Sequence, residues 1–202
     1  MDVMQAIFDR RSIRKFLDKP VEEEKVLKIL DAGLHAPSAG NLQDWQFIVV
    51  REHGKRIQLS EAAGGQYWIS AAPIIIVLCS KTNRLRRIFG EQGENIYSII
   101  DCSLSAENML LTAFSEGLGS CLVATFDKDA VRRILDIPPE IKVYAIIPVG
   151  YAAEKPNPPH RLGIESVAFL ESYGKTWTKD VSKGIGPVFI RRDQPFTDSE
   201  DI

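Results

Sequence analysis

The chain has little of what would announce a metal, a disulfide framework or a membrane. Its 202 residues include three cysteines, Cys79, Cys102 and Cys121, and three histidines, His35, His53 and His160. The cysteine spacing fits neither a CxxC site nor a disulfide framework, so the three read as packed thiols in a reducing compartment. The histidines stand far apart in sequence, and no metal site is expected. No apolar run reaches the ~20 residues of a bilayer span, and the N-terminus has no signal-like apolar stretch. A soluble, cytoplasmic protein without membrane contact is therefore expected. Neither charge sign dominates, since 25 Lys and Arg stand against 27 Asp and Glu. The net charge of -2 argues against a nucleic-acid binder. A Walker loop, HExxH, GxSxG and an EF-hand are all missing. GLGS at Gly117 is not GxGxxG, because Leu122 stands where the third Gly belongs, and it ends a helix instead of opening one.

What is present alternates helix and strand. Val3, Met4, Ile7 and Phe8 recur at helical spacing in MDVMQAIFDR. A second helix follows in VEEEKVLKILDAGLHA, with Val26, Leu27, Leu30 and Leu34 expected on one side and Glu22 to Glu24 in the first turn. APSAGNLQDW is a loop by composition, WQFIVV a strand, and Lys55 to Ala62 a short helix. PIIIVLCS is continuously apolar, the pattern of a strand buried on both faces. Glu94 to Gly117 reads as one long helix with Ile96, Ile100, Leu104, Leu111 and Phe114 in register. It is apolar over much of its circumference, so it is expected to be central. SCLVATF reads as a short strand, DKDAVRRILDI as a helix and KVYAIIPVGY as a strand. Such an alternation gives an α/β or α+β sheet covered by helices, with no linker splitting it.

One stretch breaks the balance of charge. In DRRSIRKF, Arg10, Arg11, Arg14 and Lys15 crowd around Ser12 in an irregular segment after the first helix. The cluster is either a solvated basic turn or a grip for an anion, since guanidinium groups fork onto phosphate and carboxylate oxygens. The loop APSAGNLQDWQF adds a second unusual feature. Pro37 and Gly40 are enough for a helix-stop turn, but they do not account for Asn41, Gln43 and Trp45 together.

RRSIRKF, APSAGNLQDWQFIVV, APIIIVL, GLGSCLVATF and IIPVGY followed by HR occur in that order. The chain in this respect resembles the FMN-dependent nitroreductase family, from about residue 1 to about residue 170. The resemblance implies an α+β, nitroreductase-like fold, with a central, mostly antiparallel sheet flanked by helices, in an intertwined homodimer. The motifs end before residue 174, so residues 1–173 are expected as the FMN-binding domain, and the weakly periodic 174–202, which no motif covers, as a C-terminal extension packing across the dimer. By position, Arg10, Arg11 and Ser12 match the residues that hold the flavin phosphate and ribityl chain, and Arg14 the basic residue near the pyrimidine edge. Pro37, Ser38, Ala39 and Asn41 match the loop that the partner subunit supplies to the same flavin. Leu122, Val123, Ala124 and Thr125 match the segment beside the ring, where a backbone N–H faces N5. His160 and Arg161 match a basic pair at the phosphate.

One departure concerns GGQYWIS. Some members place a lysine there, and this chain has none; Gln66 is expected at the ring edge instead, with Tyr67 or Trp68 lining the pocket. The resemblance implies NADH or NADPH as donor and a small-molecule acceptor such as a nitroaromatic or quinone. Hydride would pass through flavin N5 by a ping-pong mechanism, with no catalytic acid or base in the protein. Reductive dehalogenation, flavin breakdown and a non-catalytic flavin-binding domain are the alternative readings. NRLRRIFGEQGENIY is either a charged, solvated connection or a substrate cover.

Overall fold

The computed structural model describes residues 2–176. In chain order the first elements are α1 (Val3–Asp9), α2 (Glu23–Leu34), β1 (Trp45–Val50), α3 (His53–Ala62) and β2 (Ile74–Ser80). Then come α4 (Asn83–Gln92), a π-helical turn over Gly93–Tyr97, α5 (Ser98–Ser115) and β3 (Gly119–Ser120). Next are α6 (Lys128–Leu135), β4 (Lys142–Gly150) and α7 (Ile164–Val167). The chain divides into two compact units, Met1–Pro156 and Asn157–Ile202, ahead of the 173/174 boundary expected where the motifs end. In the second unit α7 is followed by a bridge between Phe169 and Thr176, with the Phe169 ring 4.8 Å from that of Tyr173. Most of the expected extension, residues 177–202, lies outside the described residues.

The sheet of the first unit runs β1-β2-β4-β3 and every pairing is antiparallel. The fold is therefore α+β, as expected. All seven residues of β2 are buried, because helices cover both faces. Ile74, Ile76 and Leu78 face Val26 and Ile29 of α2 and Cys102, Ala106 and Met109 of α5. Ile75, Val77 and Cys79 face Leu59 of α3 and Val131 of α6. Each buried Ile or Leu side chain here removes area worth ~1.5–3 kcal/mol from water. The β2–β4 register shifts between Leu78 and Cys79, where β4 carries one extra residue, Tyr144. That bulge lets Tyr144 pack on the α5 side, with its hydroxyl 2.6 Å from Ser98 Oγ.

Four local expectations change. In α2 the buried residues are Val26, Ile29 and Gly33, while Leu27 and Leu34 are exposed. In α5 small residues face the core, Cys102, Ser105, Ala106 and Ala113 among them. They let α2 come close: a Cβ at Gly33 would meet Met109, Phe47 and Ser105, each at 3.0 Å. Of the residues expected in register, Ile96 at 50%, Ile100 at 48% and Leu104 at 41% exposure point outward instead, beside Ile99 at 47%. SCLVATF is not a continuous strand: β3 has two residues, and Val123 rejoins β4 by a single bridge to Ile146. Asn83 to Tyr97, expected as a charged, solvated connection or a substrate cover, is helical, and Leu85 within it is fully buried.

Candidate functional site

The basic segment is stitched to the sheet edge by its backbone. Arg10 caps α1 by donating its N–H to Ala6 O at 3.0 Å. Ser12 forms a parallel bridge to Ser120, and Ile13 N–H donates to Ser120 O at 3.0 Å. Farther on, Leu17 N–H donates to Tyr151 O and Ala153 N–H to Lys15 O, both at 2.8 Å. The approach is close because residue 119 is glycine. A Cβ there would lie 2.8 Å from Ile13 Cγ1. The segment Arg10–Arg14 thus lies beside Ser120, and the chain continues at once into Leu122, Val123, Ala124 and Thr125. Leu122, Ala124 and Thr125 are exposed, while Val123 is buried and exchanges two 2.9 Å bonds with Ile146.

The guanidinium groups at this edge are poised for an anion. Arg11 Nη1 donates to Phe8 O and Arg10 O, each at 2.7 Å. The Nε atoms of Arg10 and Arg11 are both buried and neither makes a hydrogen bond. Glu107 Oε1 is 3.9 Å from Arg10 Nε, beyond hydrogen-bond reach. A buried donor without an acceptor costs about 1–3 kcal/mol, more when charged. Two such donors on consecutive residues suit a phosphate, the group that the resemblance assigns to them. Arg14 points elsewhere: its guanidinium carbon lies 5.7 Å from the centroid of the Trp68 ring, while its N–H donates to Glu154 Oε1 at 2.6 Å. Arg14 therefore joins the Gln66–Trp68 segment to the basic edge. Gln66 itself donates to Ala63 O at 2.8 Å, which turns its amide back onto the end of α3.

Cys121 adjoins the same edge. Burial pushes its thiol up, against the pull of Arg14, Ser12 and Arg10. The thiol stays protonated at neutral pH and is no nucleophile. No group of three or more His, Cys, Asp or Glu that could hold a metal occurs among the described residues.

The loop after α2 is built separately. Ala39–Asn41 form a 3₁₀ turn in which Gly40 and Asn41 have φ of 57° and 54°. Ser38 Oγ accepts from Gln43 N–H at 3.1 Å, and Gln43 Nε2 donates to Asn41 Oδ1 at 3.0 Å. Ala39 N–H donates to both carboxyl oxygens of Asp101 on α5, each at 3.0 Å. Pro37 is exposed. The loop is thus anchored at Asp101, whereas Arg10 reaches α5 at Glu107. On a helix these positions differ by roughly 9 Å in height and by about 120° in direction. The loop and the basic edge of one chain therefore hold different sides of α5.

Sequence reasoning missed the carboxylates that organise these pieces, Glu154, Glu107, Asp101 and Asp44. An acid inside the apolar α5 pattern was the available signal for Asp101. His160 and Arg161 belong to the second unit, where both are exposed. A cavity of about 720 Å³ between α3 and α6 reaches Thr125 but is otherwise lined by residues such as Gln58, Glu61, Phe126 and Asp127. It carries two carboxylates and no cation, so it does not suit a phosphate.

The chain is similar to known proteins over most of its length. A family model described as the nitroreductase family matches residues 7–71 and 55–151. A Thermus thermophilus protein named NADH dehydrogenase is 32% identical over 194 residues, covering 83% of this chain and 95% of that protein. A Bacillus subtilis NAD(P)H FMN reductase is 26% identical over 185 residues, covering 85% of this chain and 74% of that protein. Among solved structures, an FMN-dependent nitroreductase from Clostridium difficile superposes with a TM-score of 0.71 at 33% identity. That match covers 82% of this chain and 98% of the other.

Proposed function

Because the chain belongs to the nitroreductase family, we infer that it is an NAD(P)H-dependent FMN oxidoreductase that reduces nitroaromatics, quinones or similar acceptors. The observation that carries this reading is the pair of buried, unpartnered Nε atoms at Arg10 and Arg11 beside Leu122–Thr125. Arg10 and Arg11 grip the phosphate, and Ser12 reaches the ribityl chain. Leu122, Val123, Ala124 and Thr125 line the ring, and Arg14, held by Glu154 and Trp68, supplies positive charge at its pyrimidine edge. Gln66 borders the ring near Arg14. Bound FMN supplies a two-electron carrier between NAD(P)H and the acceptor, so the protein needs no acid, base or nucleophile of its own.

The protein acts as a homodimer. Pro37, Ser38, Ala39 and Asn41 serve the partner's flavin, consistent with their anchorage on a different side of α5 from Arg10. The exposed Ile99, Ile100 and Leu104 form an apolar face of the kind that soluble monomers rarely leave open. The site is cytoplasmic; no described helix is long and apolar enough to cross a membrane.

Donor and acceptor use one pocket in turn. NAD(P)H gives up a hydride; a quinone that gains this hydride and one proton becomes the quinol. Initial rates with NAD(P)H and a quinone should therefore give parallel double-reciprocal lines. Intersecting lines, or a yellow protein that oxidises no NAD(P)H with any acceptor, would contradict this reading.

A further inference from the structure

Asp44 and Asp101 are both buried, at 5% and 3% exposure, beneath the Ser38–Asn41 loop. Asp44 closes the loop just before β1, and its Oδ2 accepts from the Ser80 hydroxyl of β2. Its Oδ1 is buried and meets no donor while both acids are ionised. Asp101 lies within hydrogen-bonding reach of Asp44 and takes the Ala39 N–H on its two oxygens. A single proton between the carboxyls would satisfy Asp44 Oδ1, remove the repulsion of two buried anions and leave an Asp101 oxygen for Ala39 N–H.

The surroundings do not supply that compensation otherwise. Cys102 on α5 and Tyr144 on β4 lie near the pair, Cys79 on β2 adjoins Cys102 through its carbonyl, and burial pushes all three up, so they stay neutral. Glu94 bears on Tyr144 and is itself paired with Arg86 and Lys142. Arg132 bears on Cys79 and is not among the groups acting on Asp101.

We propose that Asp44 and Asp101 are positioning residues that share one proton, and that this proton latches the Ser38–Asn41 loop in the geometry that binds FMN. The proposal rests on the flavin role given to the loop above. Burial, opposed by the Ala39 N–H and reinforced by the neighbouring Asp44, pushes Asp101 up to about 6. The latch is closed below that value and released above it.

The test compares wild type with Asp44→Asn, whose amide donates to Asp101 at every pH. Amide exchange of residues 36–43 is followed at about pH 5 and about pH 8, corrected for intrinsic rates. Protection should fall at the higher pH in wild type and hold in the variant. FMN dissociation constants are measured at the same values. Their wild-type-to-variant ratio cancels the ionisation of FMN itself and should rise by up to about tenfold. Infrared spectra of wild type give an independent reading should the variant fold poorly: a protonated carboxyl band should titrate away near pH 6. A flat ratio with pH-independent exchange, or no such band, overturns the latch. If exchange titrates as expected but FMN binds neither protein, the latch is supported and the flavin assignment falls instead.

Discussion

Ser12 and Ser120 sit across a parallel bridge, and the N–H of the next residue, Ile13, donates to Ser120 O at 3.0 Å. This contact carries the basic segment to the edge of the sheet, where it meets Leu122–Thr125. The bridge depends on a missing side chain. Gly119→Ala would place a methyl 2.8–2.9 Å from the stiff Ile13 side chain. It should cost about 1–3 kcal/mol in chemical denaturation and weaken FMN binding. Gly119→Ala with Ile13→Ala should recover part of the binding loss, and strict additivity of the two would contradict the contact.

The second prediction concerns assembly. Ile100→Asp puts a charge on the apolar outer face of α5, away from the core residues Cys102 and Ala106. Sedimentation equilibrium should show the wild type as a dimer at micromolar concentration and the variant as a folded monomer that has lost FMN. A monomeric variant that retains FMN and turnover would show that the site is complete within one chain.

The fold was legible where burial and pattern agree. β2 is apolar at almost every position, and that is how a strand covered on both faces must read. The outer face of α5 misled because its Ile and Leu residues outweigh the small Ala106 and Ala113 that pack inward. In α4 the charges of Arg84, Arg86 and Arg87 hid the spacing of Leu85 and Phe89. The cationic half of the site was visible as composition, but its meeting with Ser120 is a tertiary contact that only the resemblance pointed to. Asp44 and Asp101 were invisible as a pair, because they stand 57 residues apart and only the fold brings the loop before β1 against α5.

A third prediction gives the acid pair a sign in stability. Asp101 is held above the ordinary carboxylate range, so the native state binds its proton more tightly than the unfolded chain does. That contribution is complete below the ordinary carboxylate value and is lost as pH rises through about 6. Asp44→Asn removes the repelling charge. Its Tm should exceed that of the wild type at about pH 8 and show no gain at about pH 5. Calorimetry at both values checks this, and an equal decrease at both would mean that Asp44 is needed as an anion.

The claim that Arg10 and Arg11 hold a terminal phosphate is the centre of the account, and titrating the apoprotein with FMN and with riboflavin tests it most directly. Riboflavin lacks the phosphate but keeps the ring and the ribityl chain. Two charge-assisted hydrogen bonds at about 1.5–3 kcal/mol each predict that FMN binds at least about a hundredfold more tightly. Arg11→Ala should close roughly half of that gap in free energy while leaving the fold intact. Equal affinity for the two flavins in the wild type would contradict the phosphate assignment and leave the basic cluster a solvated turn.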